Sequence, residues 1–144
     1  MNLNTPEKWK DKGNIFLRKG DYDKALECYQ KHIEIEPDDA EAWNNMGVGF
    51  MNKGELNKAI ECYQKVIELE PNNIEAWNNL GGVFMNKGDF NKAIECYQKA
   101  IEIEPNNVEA WYNLGVCYND KGEHDKALEC YQKAIEIDPD YAEA

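Results

Sequence analysis

Apolar residues recur along this chain at helical spacing, and the arrangement returns every 34 residues. Trp9, Trp43, Trp77 and Trp111 keep that step, as do Cys28, Cys62, Cys96 and Cys130, and Pro37, Pro71, Pro105 and Pro139. Such a period is the signature of a stacked repeat. The units run 6–39, 40–73, 74–107 and 108–141, with a leader at 1–5 and, at 142–144, the start of a truncated following helix. Units two and three agree at 26 of 34 places, which means recent duplication or consensus-like engineering.

Each unit predicts two helices. In 74–107, Trp77, Leu80, Gly81 and Phe84 fall at i, i+3, i+4 and i+7, one face of a helix. Asn72 followed by Glu75 predicts a capping box at its start. Lys87-Gly88-Asp89 predicts its end, a left-handed glycine and a new N-cap. Ala93, Ile94, Tyr97, Ala100, Ile101 and Ile103 line the second helix, and Pro105 stops it. The first unit opens on Thr5-Pro6, a cap and a proline suited to the first helical place. Glu27→Lys31, Glu61→Lys65, Glu95→Lys99 and Glu129→Lys133 predict i, i+4 pairs worth about 0.3 kcal/mol each. A glycine in mid-helix costs about 0.5–1 kcal/mol relative to alanine. Gly13, Gly47, Gly81 and Gly115 therefore predict close approach by another helix. One hairpin cannot bury its aromatic face, but stacked neighbours can.

Unit four carries Trp111, Leu114, Gly115, Tyr118, Ala127, Tyr131, Ala134 and Pro139. This pattern resembles the tetratricopeptide repeat, and the resemblance covers about 136 of the 144 residues. It implies an all-α fold, a right-handed superhelix (an α-solenoid) of four helix-turn-helix units and eight helices. First helices would line a concave surface and second helices a convex one. It further implies binding of an extended peptide or partner protein without catalysis.

Composition narrows the function. With 16 Lys+Arg against 28 Asp+Glu, the net charge is −12. Phosphate backbones and anionic membranes are poor partners for such a surface. No stretch approaches the 18–20 or so apolar residues that span a bilayer, and the start lacks the pattern of a signal peptide. The chain is 42% hydrophobic and 11% aromatic, unlike a disordered acidic tail. Repeating cysteines read as small hydrophobes, since equivalent places in stacked hairpins lie about 10 Å apart, beyond disulfide reach. Free thiols fit a reducing, cytoplasmic setting. His32 takes the place of Val66, Ala100 and Ala134 and reads as half-buried; His124 reads as a solvated turn residue. Neither shows a spacing to a second ligand or nucleophile. No catalytic residue, metal site or cofactor is expected.

Candidate binding residues are mostly amides. Asn44, Asn45, Asn78, Asn79, Tyr112 and Asn113 follow the Trp of units two to four and flank the apolar stripe. Asparagine is a mediocre helix former, yet offers a donor and an acceptor suited to a peptide backbone. In the family these places point into the concave groove, resembling an asparagine ladder. Asn52, Asn86, Asp120, Met51 and Met85 are expected further along the lining, methionine giving tolerant apolar contact. Lys10, Asn14 and Asn45 resemble three positions of the carboxylate clamp in the chaperone-binding branch. The other two basic positions fall on Glu75 and Asn79, so the clamp is incomplete.

Unit one carries Lys12 where later units have Met46, Leu80 and Leu114, in the manner of a polar cap. Unit four ends in the apolar pattern of an interior unit. The expectation is a peptide-binding scaffold. Its alternatives are a self-assembling or spacer module stacking end to end, and the regulatory arm of an enzyme.

Overall fold

The computed structural model describes residues 6–141, with side chains from residue 8 onward. The Thr5 cap, the 1–5 leader and the 142–144 segment lie outside the described residues. Eight helices follow one another: α1 (Pro6–Lys19), α2 (Tyr22–Ile35), α3 (Ala40–Asn52), α4 (Leu56–Leu69), α5 (Ile74–Asn86), α6 (Phe90–Ile103), α7 (Val108–Asp120) and α8 (His124–Ile137). They fit four tetratricopeptide-type pairs. The chain divides into two compact units, Met1–Pro71 with α1 to α4 and Asn72–Ala144 with α5 to α8.

The turn within each pair is set by glycine. Gly88 has φ 79°, a left-handed conformation that costs glycine little. It lets the Asp89 amide donate to Phe84 O at 2.9 Å, closing α5 with a Schellman-type bond. Asp89 then caps α6, accepting from the Lys92 amide. Gly20, Gly54 and Gly122 repeat this turn.

The start of α5 departs from expectation by one residue. Asn73, not Asn72, is the N-cap, its side chain accepting from Ala76 N at 2.9 Å. Asn73 has the extended backbone (φ −76°, ψ 100°) that aims its side chain at the first turn. Asp39 and Asn107 cap α3 and α7 likewise. Trp43 Nε1 donates to Pro37 O at 2.7 Å and Trp111 Nε1 to Pro105 O at 2.8 Å, each joining a repeated tryptophan to the proline six residues before it.

In the first unit, Ala25, Leu26, Tyr29, Met46 and Cys62 form a buried cluster, with Phe16, Leu17, Ile33, Trp43 and Phe50 packed against it. The helix glycines make room for a ring rather than for a neighbouring backbone: a Cβ on Gly13 would lie 2.6 Å from Tyr29 Cε1. All five cysteines are free and buried. Burial pushes the thiols of Cys62, Cys96 and Cys117 up to about 12 and that of Cys130 to about 11.

The lysine pairing differs from expectation. Lys99 and Lys133 meet Glu102 at 3.5 Å and Glu136 at 4.0 Å, three residues on. Lys31 instead lies 4.5 Å over the Trp9 ring, where an exposed cation finds an attraction at least equal to a surface ion pair.

Candidate functional site

The expected binding residues lie on the first helix of each pair, and the structure brings several of them into two kinds of contact. The first kind bridges helices. In the first unit, Asn45 Nδ2 on α3 donates to Asn14 Oδ1 on α1 at 3.0 Å. Tyr29 OH, from the buried ring beside Gly13, donates to the same oxygen. Burial pushes the Tyr29 phenol well up, the Asn45 hydrogen bond opposing that rise, so the hydroxyl keeps its proton. Both amides are half-buried. A fixed Asn14 Oδ1 directs the Asn14 NH2 group by the planarity of the amide.

A second kind connects a first helix to the last residue of its own unit, which for Asp39 and Asn107 is the N-cap of the next first helix. Lys10 Nζ meets Asp39 Oδ2 at 3.0 Å and Glu41 Oε2 at 3.5 Å. Asn78 Nδ2 reaches Asn107 Oδ1 at 3.4 Å, and the Tyr112 ring meets Tyr141 edge-on with centroids 5.5 Å apart. These three pairs share a separation of 29 residues and the same two places in the unit. Asn44 and Asn78 are only 8% and 6% exposed. Their amides are thus buried, where the sequence placed them flanking the stripe. Asn78 Oδ1 is buried without a hydrogen-bond partner among the described residues. Asp39, Asn107 and Tyr141, the receiving residues, escaped the sequence reading. The 29-residue match of Lys with Asp, Asn with Asn and Tyr with Tyr was the available signal.

The remaining candidates differ mainly in exposure. Asn79 and Asn113 are half-buried, and Asn86 is exposed. Asn52 is exposed and donates to Val48 O of its own helix at 2.9 Å. Met51 and Met85 are half-buried, and Met85 Sδ receives Tyr97 OH at 3.5 Å. Tyr112 is 37% exposed, and its ring also meets that of Tyr131 at a tilt of 46°, centroids 5.7 Å apart. Two depressions of about 660 and 510 Å³ contain none of these residues; they lie beside Trp111, Tyr118 and Cys130, and beside Trp9, Phe16 and Cys28.

His32 departs from expectation. It is fully buried, and its Nε2 lies 2.7 Å from Asp39 Oδ2 and 3.9 Å from Glu36 Oε2. The polar partners explain the burial: a buried imidazole is tolerated when hydrogen-bonded. Glu36 stood four residues away in the sequence but was masked by an acid at that place in every unit. His124 is exposed as expected, its Nδ1 2.8 Å from Asn119 Oδ1. His32, Glu36 and Asp39 are the one group among the described residues whose ligand atoms all lie within 4.8 Å of one another. No described helix is long and apolar enough to cross a membrane.

Comparison with known proteins places this arrangement. A crystal structure of MamA superposes with a TM-score of 0.91 at 29% identity, over 99% of this chain and 84% of that one. A second MamA crystal structure is 33% identical, with a TM-score of 0.88, and is matched over 98% of this chain and 76% of its own. A structure described as MamA 41-end from Desulfovibrio magneticus RS-1 shares the fold, with a TM-score of 0.89 at 24% identity, over 96% and 78%. No curated protein matches the sequence. A TPR repeat model matches residues 13–53, 49–88 and 82–119, and the tetratricopeptide repeat model matches 108–141. This all-α chain belongs to the tetratricopeptide repeat family, whose members are in general non-enzymatic scaffolds for protein–protein interaction.

Proposed function

We propose that this chain is an interaction scaffold that holds an extended peptide through first-helix amides: Asn14 and Asn45 in one unit, Asn79 and Asn113 in the other. Met51, Met85 and Tyr112 add apolar contact. The observation that carries this reading is the bridge from Asn45 to Asn14. It holds two half-buried amides in fixed orientation, which lowers the ordering cost of pairing with a peptide backbone. Lys10 serves the joint with Asp39 rather than a peptide carboxylate, because that carboxylate already neutralises it.

A peptide-library screen on the purified chain tests this. Enriched peptides are expected to lose at least tenfold in affinity against the Asn45→Ala, Asn79→Ala, Asn113→Ala variant. A library without enrichment, or equal affinity for the variant, would overturn the reading.

End-to-end association of copies is a second reading, favoured by Leu128 and Ile135, 62% and 44% exposed on α8. Leu26 and Ile94 hold the same place as Leu128 and are 7% and 8% exposed. Leu26 is covered by α3 at Gly49. On α1 the depression beside Trp9, Ile15 and Phe16 repeats the seat that Trp43 and Phe50 offer to Ile33. A second copy's α8 fits there by the same register. Lys12 in that seat weakens the contact, since a buried ammonium needs a partner.

A further inference from the structure

We propose that His32, Glu36 and Asp39 form a site for one divalent transition-metal ion of the zinc class, competing with the Lys10 ammonium. His32 lies in the last turn of α2, and Glu36, four residues on, is the C-cap whose amide donates to His32 O. That spacing places two donors on one ion in helical zinc motifs. Asp39, at the N-cap of α3, supplies the third donor from the next helix. Zinc ligands at about 2.0–2.2 Å set neighbouring donors about 3.3 Å apart in a tetrahedron. The 2.7 Å and 3.9 Å separations from His32 Nε2 bracket that value, so side-chain rotation suffices. One imidazole and two carboxylates form a borderline-to-hard donor set, which suits zinc, cobalt(II) or manganese and leaves a position for water.

Charge supports the assignment. Asp39 and Glu41 meet the ammonium of Lys10, while Glu36 and Asp39 face the His32 ring. The three carboxylates outnumber the one ammonium they share, a balance that favours a cation. The set is particular to the first unit. Val66, Ala100 and Ala134 stand at the place of His32, and Asn73, Asn107 and Tyr141 at that of Asp39. The imidazole and the capping carboxylate therefore occur together once.

Coordination takes the lone pair of Nε2, so the ring proton resides on Nδ1 in the metal-bound form. Asp39 Oδ2 exchanges the ammonium for the ion. Lys10 turns to Glu41, already 3.5 Å away. The ion then ties the second helix of the first pair to the first helix of the next.

The test is titration of the full chain, stripped with chelator, with zinc chloride by calorimetry and cobalt chloride by visible absorption. One saturable site is expected, with a cobalt spectrum free of thiolate charge-transfer bands and a melting temperature that rises with added zinc. Glu36→Gln, at an exposed side chain, is expected to weaken binding at least tenfold, and His32→Val to abolish it. Lys10→Asn, the residue of units two and three, is expected to tighten it at least tenfold. Absence of saturable binding in the unaltered chain, binding unchanged in Glu36→Gln, or a thiolate band would overturn the proposal. Peptide affinity plays no part in these readouts.

Discussion

A methyl group on Gly81 would stand 2.7 Å from Cε1 and Cζ of Tyr97. Tyr97 is 1% exposed, so its ring has nowhere to move. Overpacking of this kind costs about 1–3 kcal/mol, against which alanine's better helix propensity returns about 1 kcal/mol. Gly81→Ala is therefore expected to lower stability by up to about 2 kcal/mol in urea unfolding with an unchanged m-value. Gly88→Ala, in open space but at φ 79°, destabilises through backbone strain alone.

Asp39 predicts a pH dependence. Burial raises its carboxyl pKa, but hydrogen bonds from Lys10 and His32 outweigh that and hold it below the usual range. A depressed folded value stabilises the protein above the unfolded pKa, about 3.9, and that gain is lost as pH falls through the folded value. Asp39→Asn keeps the cap chemistry of Asn73 and Asn107. It is expected to cost about 1 kcal/mol at pH 7, with the difference from the unaltered chain shrinking below pH 4. Unfolding curves from pH 7 to pH 3 measure it.

The cysteines are expected to be unreactive while the protein is folded. With Cys62, Cys96 and Cys117 near 12, the thiolate is a minute fraction at pH 8. Modification by a disulfide reagent should be slow and follow the rate of opening. Full denaturation should make all five thiols reactive.

Association of copies, where it occurs, should respond to α8 and Lys12 in opposite directions. Leu128→Glu is expected to abolish any rise of apparent mass with concentration in light scattering. Lys12→Leu is expected to promote that rise by at least tenfold in protein concentration. A strict monomer for both variants would remove the second reading.

The helices, their ends and their order could be read from the sequence because they rest on local rules: apolar spacing, a glycine after each first helix, a proline after each second. The thirty-four-residue period made each rule visible four times. What could not be read is tertiary. Asn72 and Asn73 are adjacent and chemically identical, and only backbone direction selects the cap. Asn44 and Asn78 sit near the edge of their helical face, and what buries them is packing that the helical wheel does not contain. His32 looked isolated because Asp39 approaches it only after the chain has turned from α2 into α3.

The bond from Trp43 Nε1 to Pro37 O spans six residues, and the glycine turns close loops equally short. Loop closure over such distances loses little entropy, and a topology rich in nearby partners folds fast. Each joint can thus set soon after its residues leave the ribosome, without waiting for a distant strand of chain to arrive. Fraying at one extremity would likewise strip contacts one segment at a time, giving amide protection that is graded along the molecule rather than uniform.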